Sequence, residues 1–121
     1  MDQDRNTIGL TPDAQKQLEA IQLKEWFEDA QDAARFACAL AIREGLELGE
    51  TRGSDTRWAI GGFDKSGEFR AIIAALHPET ATPVKSLEYL TNEGLRLLHE
   101  RFVVRGETPA GLFDIPLAAP Q

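Results

Sequence analysis

One cysteine, two histidines and one tyrosine in 121 residues leave little of the chemistry from which catalytic and metal sites are assembled. The lone thiol, Cys38, excludes an intrachain disulfide, and its place in the apolar stretch from Phe36 to Ile42 marks it as a packing residue. His77 and His99 stand on separate segments, and neither belongs to a ligand-spaced group of Cys, His and carboxylates, so no metal and no cofactor is expected. The GxSxG, phosphate-loop and HExxH patterns are missing. Gly61-Gly62 has neither the further glycine nor the strand-to-helix setting that cradles a phosphate, and reads as a bulge in a strand. Carboxylates at helical spacing, Asp29 with Asp32 and Glu44 with Glu47, have the ordinary reading of charged, solvated helix faces. The expectation is a protein that is not an enzyme.

Long apolar runs are absent as well. None approaches the roughly 20 residues that cross a bilayer, and the opening Met-Asp-Gln-Asp-Arg has neither the basic nor the apolar region of a signal peptide. A cytoplasmic protein without membrane contact is therefore expected. Positive charge is scarce too: 13 Lys and Arg against 20 Asp and Glu give a net charge of −7. Affinity for nucleic acid comes largely from neutralised phosphates, so this balance disfavours DNA and confines any DNA contact to a local patch. The same acidity keeps the surface solvated and suits a basic protein partner.

What is present is enough for one folded unit. A 42% hydrophobic and 27% charged composition is that of a globular domain, and 121 residues fit a single one. Residues 5 to 10 alternate as a short strand. Thr11-Pro12-Asp13 then supplies a hydroxyl cap, a first-turn proline and a carboxylate at the positive end of a helix whose face is Ala14, Leu18 and Ile21. The chain breaks over 24 to 28, and Asp29 can cap a second helix running to Glu44, with Gly45 as its left-handed stop. Beyond a polar loop at 50 to 55, Trp58 and Ile60, with Phe63 as an extension, predict a short strand, Asp64-Lys65-Ser66-Gly67 a turn, and Phe69, Ile72, Ile73 and Leu76 a helix over 68 to 76, although Ile72 and Ile73 would equally suit a strand. Thr82-Pro83 repeats the cap-plus-proline start, and a stripe from Val84 to Phe102 predicts the longest helix. The fold class is α+β, mainly helical. Residues 1–49 form its N-terminal unit, 50–106 an extension packed on it, and 107–121 a loosely ordered proline-rich tail in which Leu112, Phe113 and Ile115 can dock.

A strand this short is not stable alone, and a second copy is the economical partner. Antiparallel pairing would turn Ile8 and Leu10 toward the helices, while Ala33, Ala37, Leu40 and Ala41 on the small-residue face of the second helix would let the copies pack closely. Arg5-Asn6-Thr7-Ile8-Gly9-Leu10, followed by Thr11-Pro12-Asp13 and the alanine-rich helix, resembles the ribbon-helix-helix proteins of the Arc and MetJ type over about a third of the chain. That resemblance implies a homodimer whose outward strand residues, here Arg5, Thr7 and Gly9, read bases in the major groove. Glu25, Glu28, Asp29 and Asp32 surround the helix start where such proteins hold a phosphate, and their charge opposes one.

A wider pattern joins Phe27, Asp32-Ala33 and Phe36-Ala37, the turn near Asp64, and Leu90-x-Asn92-x-Gly94-Leu95. It resembles small accessory proteins of Dnd-type DNA phosphorothioation and restriction systems. The resemblance implies a regulatory or assembly subunit beside larger nucleases and ATPases in anti-phage (antiviral) defence. Gly94, inside an apolar helix, marks close contact with a helix or partner, and Trp26-Phe27 beside acidic residues is the candidate partner-binding patch. The leading expectation is thus a dimeric, non-enzymatic accessory subunit of a DNA-modification or defence complex. The alternative is a DNA-binding transcription regulator, a repressor or an antitoxin-like autoregulator.

Overall fold

In a computed structural model, residues 3–112 are described; the expected docking residues Phe113 and Ile115 fall outside them. The chain is α+β and mainly helical, with a two-stranded antiparallel sheet. Strand β1 (Thr7–Leu10) leads into α1 (Pro12–Gln22) and α2 (Ala30–Arg43); β2 (Asp55–Ala59), α3 (Ile60–Phe63), α4 (Glu68–Leu76) and α5 (Pro83–Leu98) follow. Helix α5 runs on into a π-helical segment, His99–Val104, and a single turn, α6 (Pro109–Leu112), comes after it.

Local chemistry sets the first boundaries. The Thr11 hydroxyl accepts from the Ala14 amide at 3.1 Å, the Asp29 carboxylate accepts from the Asp32 amide at 2.8 Å, and Gly45 takes the left-handed φ of 69° after α2. Helix α5 starts at the expected proline, but the Thr82 side chain does not cap it. Asp4 does so from the other end of the chain, its two carboxylate oxygens accepting from the Val84 and Lys85 amides at 2.9 Å each. A carboxylate places full charge where the helix dipole is most positive. Gly61 and Gly62 lie within α3 and form no bulge; the irregularity in the sheet falls instead between Ile8 and Gly9.

The packing is organised by α2 against α5. Gly94 is buried, and a Cβ built there would stand within 3.2 Å of the carbonyl and Cα of Ala37, so only a hydrogen lets the two backbones approach this closely. Leu10, Leu18, Ile21, Ala33, Leu40, Leu95 and Leu98 fill one side of this pair; Ile8, Cys38, Phe63, Ile73, Leu87 and Leu90 fill the other. Strand β1 pairs with β2 in the same chain, Ile8 opposite Trp58 and Leu10 opposite Asp55, rather than with a second copy. Among the described residues no helix is long and apolar enough to cross a membrane.

Candidate functional site

The edge of β1 away from β2 is taken by two side chains of α5. The Gly9 amide donates to Glu88 at 2.8 Å, the Gly9 carbonyl accepts from the Asn92 amide nitrogen at 2.9 Å, and Asn92 Oδ1 accepts from the Thr11 amide at 2.9 Å. A helix thus supplies the hydrogen bonds that a third strand would have made. Glu88, with its side chain 3% exposed, is a buried carboxylate and also accepts from Arg5 Nη1 at 3.1 Å and from the Ser54 hydroxyl at 3.3 Å. Charge and lone pairs are met locally, as a buried carboxylate requires.

This arrangement changes the reading of the three expected base contacts. Arg5 is turned onto Glu88, Thr7 is half-buried, and Gly9 is buried with the Asp55 carbonyl 2.9 Å from where a Cβ would stand. The three do not form an outward face. The six residues expected at a dimer interface are likewise placed inside the single chain: Ile8, Leu10, Ala33, Ala37, Leu40 and Ala41 are each no more than 2% exposed. The alanine face is covered by α5, which stands where the second copy was expected.

Trp26 and Phe27 occupy the end of the molecule where α1 gives way to α2. Glu25, with φ of 59°, turns the chain there in a left-handed conformation that a non-glycine residue adopts only at a cost of about 1–3 kcal/mol. Trp26 meets Phe102 edge-to-face, centroids 4.8 Å apart at 88°, and Phe27 and Phe36 complete the cluster at 6.5 and 6.2 Å from Phe102. Phe102 belongs to the π-helical segment, whose wider turns show in the Arg105 amide donating to the Glu100 carbonyl at 2.9 Å. The end of that segment is tied by Arg101 to Glu107, at 2.7 and 3.0 Å.

Three large apolar side chains in the segments that carry this cluster are exposed. Leu23 is 84% exposed, Trp26 39% and Val104 62%, with Lys24 Nζ 5.8 Å from the Trp26 ring centre. Glu25, Glu28 and Asp29 are exposed beside them. Trp26 and Phe27, consecutive in the chain, both pack on Phe102, whereas Gly94 is buried between α2 and α5 and does not reach this surface. Leu23 and Val104 were missed. Leu23 carried a usable signal: at 100° per residue it projects opposite the Ala14-Leu18-Ile21 face of α1, so a large aliphatic side chain there must stand in water.

Two buried groups on the other side are structural. Burial would raise the Asp64 carboxyl, but hydrogen bonds from the Arg70 guanidinium at 2.8 Å and from the Phe69 and Arg70 amides at 3.0 and 3.1 Å, with the Arg70 charge, hold it below the usual carboxylate range. Burial pushes the Cys38 thiol up to about 12; a Thr91 hydrogen bond partly offsets this, and the nearby Asp64 charge adds to it. A thiol so raised is protonated at neutral pH and is a poor nucleophile. Among the described residues no group of three His, Cys, Asp or Glu could hold a metal ion. Compared with known proteins, the chain matches no family model, no curated protein and no solved structure.

Proposed function

We propose that this protein is a non-enzymatic accessory subunit that docks onto a larger protein through the surface made by Leu23, Trp26 and Val104. The observation that carries the reading is the exposure of Trp26 where it packs edge-to-face on the buried Phe102, with Leu23 and Val104 exposed three and two residues from these rings in sequence, since Trp in such a setting is a frequent anchor of binding energy. The rim gives the partner its chemistry. Glu25, Glu28 and Asp29 favour an apolar segment flanked by Lys or Arg, in keeping with the net charge of −7. The resemblance to accessory proteins of DNA phosphorothioation and restriction systems makes a large component of such a complex the first partner to test. The DNA-reading alternative has less support, because Arg5 is committed to Glu88.

The test is co-expression of the chain with the large proteins encoded beside its gene, followed by size-exclusion chromatography. One of them is expected to co-elute with the wild-type chain. Leu23→Asp and Trp26→Ala should each weaken that association at least tenfold while leaving circular dichroism unchanged, the loss of an anchor being about 2 kcal/mol or more. Co-elution indifferent to both substitutions would count against this surface, and co-elution with none of them would count against the function.

A further inference from the structure

A groove of about 490 Å³ opens where α2, the end of α3 and the start of α4 meet, a volume in the range of small-molecule sites. Its apolar lining is Phe63, whose buried ring lies 6.0 Å from that of Phe69, and Ile72, which is 39% exposed. Its polar lining carries charge of both signs, and the charges differ in how they are met. Asp64 is saturated, since Arg70 Nε and the Phe69 and Arg70 amides all donate to its carboxylate. Glu68 stands in the first turn of α4, where the helix dipole favours a carboxylate.

Arg35 is met only in part. Its Nη1 donates to the half-exposed Asp32 at 3.2 Å, but its Nε is buried and has no acceptor. Buried N–H groups are nearly always paired, so this one calls for an explanation. Lys65, exposed, brings a second cation to the same lining.

We propose that this groove binds a small carboxylate with a ring-sized apolar body, the carboxylate on Arg35 and the body against Phe63, Phe69 and Ile72. A guanidinium grips a carboxylate best through two parallel N–H bonds, and the edge that includes Nε is the one Asp32 does not use. A turn of the guanidinium that presents Nε to the groove gives up one 3.2 Å contact with a half-exposed carboxylate in exchange for two charge-assisted bonds. Lys65 adds a point charge without fixed geometry. The ligand is a monoanion on electrostatic grounds: a phosphate, with a charge of about −1.5 to −2, would meet Glu68 and Asp32 more unfavourably, on a chain whose net charge is already −7. The groove lies against the Ile8–Phe63–Leu90 side of the core, whereas Trp26 packs on the Leu10–Leu98 side, so the site is separate from the proposed partner surface and does not rest on that reading.

Titration of the isotope-labelled full chain with benzoate, followed through its amide chemical shifts, tests the site. Saturable shifts are expected at Gly62, Lys65, Ser66 and Phe69, with a dissociation constant on the order of 1 mM, as suits a ligand of this size. Benzamide, which keeps the ring without the charge, and acetate, which keeps the charge without the ring, should each bind at least tenfold more weakly. Arg35→Gln should weaken benzoate binding at least tenfold with circular dichroism unchanged, and Arg35→Lys, which keeps the charge and loses the fork, should not restore it. Trp26→Ala should bind as the wild-type chain does. The absence of saturable shifts at these amides overturns the proposal. So does benzamide binding as tightly as benzoate, a comparison made on the wild-type chain and therefore decisive even if Arg35→Gln fails to fold. Benzoate binding that survives Arg35→Gln in a folded chain overturns it as well, by placing the anion elsewhere.

Discussion

At the scale of single residues, two positions hold more of the fold than their size implies. The hydrogen at Gly94 sets the distance between α2 and α5, because a methyl group there would meet the Ala37 carbonyl, which is backbone and cannot swing aside. Gly94→Ala is expected to lower stability by about 2–3 kcal/mol, the cost of overpacking a tight core, read as a fall in the denaturant midpoint. Gly61→Ala is the control: nothing lies within 4 Å of a Cβ there, and the change should be neutral or slightly stabilising. Asp64 is the second position. Its carboxyl titrates below the usual range in the folded chain, so its contribution is complete above the ordinary aspartate pKa of about 4 and is lost as pH falls through the depressed folded value. The thermal midpoint of the wild-type chain should therefore fall on acidification below about pH 4, and that of Asp64→Asn, lower at neutral pH, should fall less steeply over the same window.

At the scale of elements, periodicity and end signals were legible and long-range partners were not. The stripe of α5, the caps at Thr11 and Asp29, and the left-handed stop at Gly45 follow from side-chain chemistry within a few residues, and each was readable from sequence. Asp4 was not, since it caps a helix beginning 79 residues away and only the folded chain brings the two together. Asp4→Ala is expected to cost about 1 kcal/mol by removing two acceptors from the start of α5, whereas Thr82→Ala, which lacks a side-chain cap bond, should change the thermal midpoint very little. The reverse result would return the cap to Thr82. The partner of β1 was illegible for the same reason. Any strand would have satisfied its edge, and nothing local to Arg5–Leu10 distinguishes β2 and an α5 carboxylate from a second copy.

At the scale of the whole molecule, the alanine face of α2 called for a close helical neighbour, and the neighbour is α5 of the same chain. Small residues specify how near another backbone comes, not which chain it belongs to. Trp26 and Phe27 stand out in sequence as bulky aromatics beside carboxylates; Phe102, on which both pack, hides in an apolar stripe that fits an α-helix as well as the π-helical segment it forms. The way α5 grips β1 also bears on how the chain is made. Residues 4 to 11 are made more than 70 residues before the side chains of α5 that bond to them, Glu88 and Asn92, and before the helix start that Asp4 caps. During synthesis β2 can pair with one edge of the first strand, but the other edge lacks its native partners until α5 has emerged, and closing that long loop carries an entropic cost that short-range contacts do not.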